Sequence, residues 1–387
     1  MSTQHAIRSA PVFRIWPLTI LVTCCLLLSL SAVAQEKPWS GFAVETNFIA
    51  GRILKHTPKF RAPIPDMSTA VELNLVKQTY GTQDWQQRRH YPVLGFGFTY
   101  TSYGIDSIYG KCISAYPTLQ LPLIRGRNLE WTFRAGFGIG YISRHYERNP
   151  GWDTLDNAIS SHFNNYTIVA TDLRYHINEH WDVQLGGNFS HISNAALKQP
   201  NLGINMYGAH VGLRYYPVTS RPQKIVRDLQ PLKNRWLVQG RFSMAFNEMG
   251  TTDGPIYPVY LASVYTSKRW LSKNKAFIGI DYSYHTKIEA FLKNNEIYPG
   301  AAKAHSWKSA VFVGNEFLFG HVGVLLQLGY YIKNAALAET SYYEKLGGNL
   351  YIIQKEHGPL KELCISALLK AHKTEAELAE IGIGFGF

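Results

Sequence analysis

The stretch WDVQLGGNFSHIS, residues 181–193, alternates between two kinds of side chain. Its odd positions are Trp181, Val183, Leu185, Gly187, Phe189, His191 and Ser193, and its even positions include Asp182, Gln184, Asn188 and Ser190. A strand places residues i and i+2 on one face. One face is therefore apolar down to its last two members, and the other is polar. On a soluble strand the apolar face would bury His191 and Ser193 in a core. On a transmembrane barrel strand the apolar face looks at lipid and the polar face at the lumen. The second reading places a base and a nucleophile where a lipid would reach them.

The same period recurs along the chain. Leu129, Trp131, Phe133, Ala135, Phe137, Ile139 and Tyr141 alternate with Glu130, Thr132, Arg134 and three glycines. Leu94, Phe96, Phe98 and Tyr100 behave alike, as do Val322, Val324, Leu326, Leu328 and Tyr330. The chain closes on Glu380-Ile-Gly-Ile-Gly-Phe-Gly-Phe387. A final strand ending in Phe is the kind of signal read by the outer-membrane barrel assembly machinery. Apolar-out, polar-in segments of about ten residues are the mark of an outer-membrane barrel. The 24 tyrosines and 9 tryptophans suit its interfacial girdles.

The fold class expected is all-β: an antiparallel transmembrane β-barrel of the outer membrane with about 14–16 strands. Candidate strands lie near 40–54, 68–80, 89–104, 111–123, 130–146, 163–178, 181–193, 203–217, 234–248, 256–269, 275–288, 307–319, 321–333, 359–371 and 375–387. That is an odd number, and bacterial single-chain barrels usually have an even one. One further strand is expected around Asn349 to Ile353. Residues 218–235, with Pro222, Pro231 and many charges, read as a linker or long turn. They separate an eight-strand half, 35–217, from further strands in 236–387. Either one large barrel or an eight-strand barrel with a second β unit follows, and the reading favours one barrel. Asp281-Tyr-Ser-Tyr-His285 echoes Asn188-Phe-Ser-His191, but Lys287 stands where the first copy has Ser193, so the echo reads as chance.

Residues 1–34 read as a secretory signal peptide. Arg8 and Arg14 precede an apolar run from Leu18 to Leu30, and Ala32-Val33-Ala34 is a small-x-small cleavage site. Thr23 precedes Cys24 where a lipoprotein signal wants Gly or Ala, so no lipid anchor is expected. Cleavage leaves Cys112 and Cys364, one pair and no disulfide framework; whether they are bonded stays open. The formal charge is +12, of which Arg8 and Arg14 supply two, leaving +10. The basic residues form no block, so no nucleic-acid partner is expected. Anionic lipid headgroups or solvated loops account for the charge.

A serine hydroxyl needs a base to become a nucleophile, and the base needs a third group to hold its tautomer. His191 and Ser193 lie about 7 Å apart along one strand face, within closing distance of side chains that lean together. Asn205 falls on the apolar phase of the next strand, with Tyr207, Ala209, Val211 and Leu213. A hairpin with an eleven-residue loop brings it beside His191. His162, His176, His210, Asp172 and Asp182 read as lumen, loop or girdle residues.

His191-x-Ser193-Asn194-Ala195, followed by Pro200-Asn201-x-Gly203, resembles the motif of outer-membrane lipid A 3-O-deacylases, also called acyloxyacyl hydrolases. The resemblance covers about 40–217. It implies an eight-strand barrel whose Ser–His–Glu triad, facing the outer leaflet, removes an ester-linked acyl chain from lipid A. It implies Ser193 as nucleophile, His191 as base, and Asn194 and Asn201 as support for the oxyanion or the loop. Asn205 departs from it, standing where that family has glutamate. Replacing a triad carboxylate by an amide costs about 10⁴ in turnover in a serine protease. His-x-Ser-Asn with an Asn third member is similar to outer-membrane phospholipase A instead. Both resemblances imply a lipid esterase with lipid A or another outer-leaflet lipid as its partner. The first implies no cofactor, and the second would bring calcium. A non-catalytic barrel, channel or scaffold, is the reading from another class.

Overall fold

The structure is a computed structural model that describes residues 39–148, 155–230, 235–250, 252–270, 273–336, 340–373 and 375–387. The signal-peptide segment 1–34 lies outside the described residues. Among the described residues sixteen strands run in chain order: β1 Phe42–Ile53, β2 Ser68–Gln78, β3 Val93–Ser102, β4 Lys111–Arg125, β5 Leu129–Ile142, β6 Phe163–His176, β7 Trp181–Ser193 and β8 Ile204–Tyr215. They continue as β9 Trp236–Glu248, β10 Ile256–Trp270, β11 Asn274–His285, β12 Trp307–Phe319, β13 Val322–Lys333, β14 Tyr342–Gln354, β15 Glu362–His372 and β16 Glu375–Gly386. Short helices α1 Asp84–Arg88, α2 Asp106–Tyr109 and α3 Thr286–Asn294 lie in the connections. No helix among the described residues is long and apolar enough to cross a membrane; strands of 10–15 residues are.

These strands close two barrels, not one. β1 pairs with both β2 and β8, and β9 pairs with both β10 and β16, so each set of eight forms its own antiparallel cylinder. This corrects the single-barrel expectation. Alternation shows which residues face out, but closure depends on which distant strands pair, and the alternation is the same in either architecture. An eight-strand barrel is just wide enough to be filled by side chains, and each half carries the side chains to fill one. The additional strand near Asn349 is β14.

In the first lumen Glu72 accepts from Arg134, Tyr116 and Asn47 at 2.5, 2.7 and 2.7 Å. Asp172 accepts from His210 at 2.8 Å, and Arg174 and Arg214 both pair with Glu45. In the second, Lys275 bridges Glu316 and Glu362 at 3.0 and 2.8 Å, and Lys345 bridges Asp281 and Glu380 at 2.9 and 3.1 Å. Such charges are stable in an interior only when paired and hydrogen-bonded. Both lumens are packed, which opposes a wide aqueous channel. Cys112 and Cys364 are free thiols, buried in separate barrels.

The outward phases are apolar, with Leu73, Phe98, Phe133 and Leu185 exposed in the first barrel and Val264, Val313 and Leu328 in the second. Trp131, Trp181 and Tyr215 ring one rim of the first barrel; Tyr100, Tyr141 and Phe163 ring the other. β1 begins and β8 ends at the first of these rims. The connection 216–230 is irregular and is held there against α1 and the residues before it: Ile225 N donates to Tyr80 O at 2.7 Å and Arg227 N to Gln87 Oε1 at 2.9 Å; residues 231–234 of the expected linker lie outside the described residues.

At the opposite rim, loops cover the first lumen. Asn157 Oδ1 accepts from the amides of Arg61 and Ala62, and Gly203 N donates to Ala158 O. Beneath them Ile49, Ile53, Phe60, Ile192, Ile204 and Met206 form an apolar layer. That layer is the floor on which the site stands.

Candidate active site

His191 and Ser193 end β7 at the covered rim, on the phase of Trp181, Val183, Leu185 and Phe189, which is outward. Their neighbour Ile192 points inward to the apolar layer. Asn205 sits at the start of β8 on that strand's outward phase, with Tyr207, Val211 and Leu213. His191 and Asn205 are register partners, as are Phe189 and Tyr207.

His191 Nε2 lies 2.9 Å from Ser193 Oγ, and its Nδ1 lies 2.6 Å from Asn205 Oδ1. The two contacts leave one consistent proton assignment. If Nε2 is to accept the serine proton, Nδ1 carries hydrogen and donates it to Asn205 Oδ1. Ser193 and Asn205 are both covered, so the bonds are shielded from water.

The loop between β7 and β8 explains the roles of the other expected residues. Asn194 N donates to Asn201 Oδ1 at 2.9 Å. Asn194 Nδ2 meets Ser160 Oγ and Ser161 Oγ at 3.0 and 3.2 Å, and Asn194 Oδ1 accepts from Lys198 N at 3.3 Å. Asn201 Oδ1 and Asn194 Oδ1 thus brace the loop, and Asn194 Nδ2 ties it to the segment before β6. Gly203 has φ +77°, and a Cβ there would lie 2.6 Å from His191 Cε1. A glycine is required by both the left-handed backbone and the approach of the imidazole.

The second barrel also touches this loop. Glu248, at the end of β9, accepts from Gln199 N through Oε2 at 2.5 Å and donates its own N–H to Leu197 O at 3.1 Å. Asn247 Nδ2 donates to Ala196 O at 3.4 Å and to Glu377 O at 2.6 Å.

Two side chains of the site escaped the sequence reading. Asn165 of β6 is paired in register with Ser193, and its Nδ2 donates to Ser193 O at 2.5 Å and Ser193 Oγ at 3.2 Å. Its signal was present: Asn165 is a polar residue on the outward phase of its strand, as far before His176 as Ser193 is after Asp182, the register partner of His176. His56, in the loop after β1, lies 2.9 Å through Nδ1 from Asn205 Nδ2. Only closure of β1 on β8 brings it there. His210 and Asp172 bond to each other in the lumen, and Asp182 accepts from His176 at 2.8 Å, away from the site.

The sequence echo at Ser283 and His285 forms a second Ser–His pair, with Oγ 3.0 Å from Nε2. It lies on the opposite phase, buried inside the second barrel, and on the third strand of its barrel rather than the seventh. It is not a repeat of the first. Among the described residues, no three His, Cys, Asp or Glu side chains converge as a metal site requires.

The family described as Lipid A 3-O-deacylase (PagL) matches residues 69–214, and the one described as Acyloxyacyl hydrolase, C-terminal domain, matches residues 235–387. No curated protein matches the chain by sequence. Among solved structures, the outer-membrane enzyme PagL aligns at 19% identity over 43% of this chain and 97% of its own, with a TM-score of 0.30. Neisserial surface protein A (NspA) aligns at 14% identity over 46% of this chain and 97% of its own, with a TM-score of 0.31. A Rhodopseudomonas blastica porin triple mutant aligns at 11% identity over 89% and 99%, with a TM-score of 0.19. The two family matches fall on the two barrels in turn: the first barrel matches the lipid A 3-O-deacylase family and the second the acyloxyacyl hydrolase C-terminal domain, two families of ester hydrolases.

Proposed function

We propose that this protein removes an ester-linked acyl chain from lipid A in the outer leaflet, with Ser193, His191 and Asn205 as its catalytic triad. The observation that carries the reading is the unbroken chain from Ser193 Oγ through His191 to Asn205 Oδ1 on the outward face of a membrane barrel. Ser193 Oγ attacks the acyl carbonyl while His191 Nε2 takes its proton. Asn205 holds the imidazole in the tautomer that can accept it. Asn165 Nδ2, already beside Oγ, is the donor best placed for the oxyanion. His191 then passes the proton to the departing sugar hydroxyl. Water, deprotonated by the same imidazole, releases the fatty acid from Ser193. The outward wall next to the site, with Phe189, Tyr207, Leu185 and Val211, offers the acyl chain an apolar surface.

Asn205 favours one alternative lipid, because an amide third member is similar to phospholipase A. The test is mass spectrometry of lipid A and phospholipids from the same cells, with the parent protein, with Ser193→Ala, and with neither. The expected result is loss of one acyl mass from lipid A with the parent alone. Lysophospholipid that forms only with calcium would move the assignment to a phospholipase. Unchanged lipids in all samples would refute an esterase.

A further inference from the structure

A carboxamide has two unlike ends, and the end facing His191 must be the oxygen. An inverted Asn205 would set its NH₂ against the Nδ1–H of His191, donor against donor. A triad closed by an amide therefore needs something that the carboxylate version does not: a group that holds the amide the right way round.

Asn205 Nδ2 is 2.9 Å from His56 Nδ1. For Nδ1 to accept, the proton of a neutral His56 must sit on Nε2. Nε2 lies 3.0 Å from Leu202 O, an atom that can only accept. Each proton position fixes the next, from the Ser193 hydroxyl to a backbone carbonyl four groups away. The opposite His56 tautomer would point Nδ1–H at Leu54 O, 3.4 Å off, and would confront Asn205 Nδ2 with a second donor. The closure of the barrel builds this contact. Leu54 N donates to Asn205 O at 2.8 Å, continuing the β1–β8 ladder, and His56 follows two residues later. Phe60 meets the His56 ring edge-on at 6.2 Å between centroids.

We infer that His56 is a positioning residue of the esterase, orienting the Asn205 carboxamide through the Nδ2–Nδ1 bond so that Oδ1 faces His191. The inference rests on the triad proposed above. His56 reaches Ser193 only through Asn205 and His191.

The test compares His56→Phe, which keeps an aromatic ring but offers no acceptor, with His56→Gln, whose amide oxygen can replace Nδ1. Each is made in the parent and in Asn205→Glu, because a carboxylate has two equivalent oxygens and no wrong end. The primary readout is the labelling rate of Ser193 by a fluorophosphonate, in which Oγ displaces fluoride at phosphorus and His191 takes the hydroxyl proton. Acyl release from lipid A gives kcat and KM in parallel, and heat-modifiable migration reports folding. His56→Phe should slow labelling and kcat roughly tenfold or more with KM little changed, the scale of an unmade buried hydrogen bond. His56→Gln should recover most of that loss. In Asn205→Glu, His56→Phe should change labelling by less than about twofold, the coupling that marks one hydrogen-bonded network. Equal losses in both backgrounds would assign His56 to loop packing and overturn the inference, as would full labelling of His56→Phe in the parent. If Ser193 is labelled but no lipid is cleaved, the lipid-esterase reading fails while the His56 comparison still stands on labelling. If parent Ser193 is not labelled, the triad and the inference fall together.

Discussion

His191 and Asn205 face each other as register partners across β7 and β8, with Nδ1 and Oδ1 2.6 Å apart. Removal of either partner is expected to be unequal. Ser193→Ala and His191→Ala should each lower kcat by about 10³-fold or more, since nucleophile and base act as a unit. Asn205→Ala should retain more activity, because the required tautomer is then only less favoured. Acyl release by purified, heat-modifiable protein measures all three. Full activity in Ser193→Ala would end the triad reading.

Gly203 presses on the imidazole from the other side. Gly203→Ala would place a methyl group against His191 Cε1 on a backbone that disfavours it. An imidazole displaced by about 1 Å can cost about 10² in rate. The expected outcome is a large fall in kcat with an intact barrel, read from migration in unheated gels. A variant of parental activity would show that the loop yields instead.

Glu248 ties the loop 197–199 to the second barrel from both its carboxylate and its backbone. Glu248→Ala removes a charge-assisted acceptor from Gln199 N, at a cost of about 1.5–3 kcal/mol to the held geometry. Activity should fall about tenfold or more, and Glu248→Gln should recover part of it. Proteolysis of the native protein between Ala195 and Pro200 should rise in the alanine variant. Unchanged activity and cleavage would mean that the contact does not matter to the loop.

Inside and outside should tolerate opposite substitutions. Leu185→Arg sets a charge on the lipid face near mid-strand and should destabilise by about 2–4 kcal/mol. Arg134→Leu leaves Glu72 and Asp172 in the lumen without their cation and should cost about 3–5 kcal/mol. Urea unfolding in lipid vesicles would measure both. A neutral Leu185→Arg would contradict the assignment of phase.

The strands were legible because lipid and lumen select side chains in alternation, and β7 matched its expected ends, Trp181 and Ser193. β14 was seen only in part. Its outward phase is interrupted by Glu344 and Gly348, while its inward phase carries Tyr343 and Tyr351. The number of barrels was not legible, since pairing of β8 with β1 is a long-range choice that local pattern does not record. The meeting of His191, Ser193 and Asn205 followed from phase and a single hairpin. Asn165 needed only the next hairpin read with equal care. His56 needed the closure itself, because 149 residues separate it from Asn205.

Each barrel holds one buried, unpaired cysteine, Cys112 in β4 and Cys364 in β15. The molecule thus carries a matched pair of internal reporters. A thiol reagent added to the intact protein, followed by peptide mapping, would score the two cylinders separately in one sample. Shielding at Cys112 with reaction at Cys364 would identify protein whose first barrel had closed before, or without, its companion.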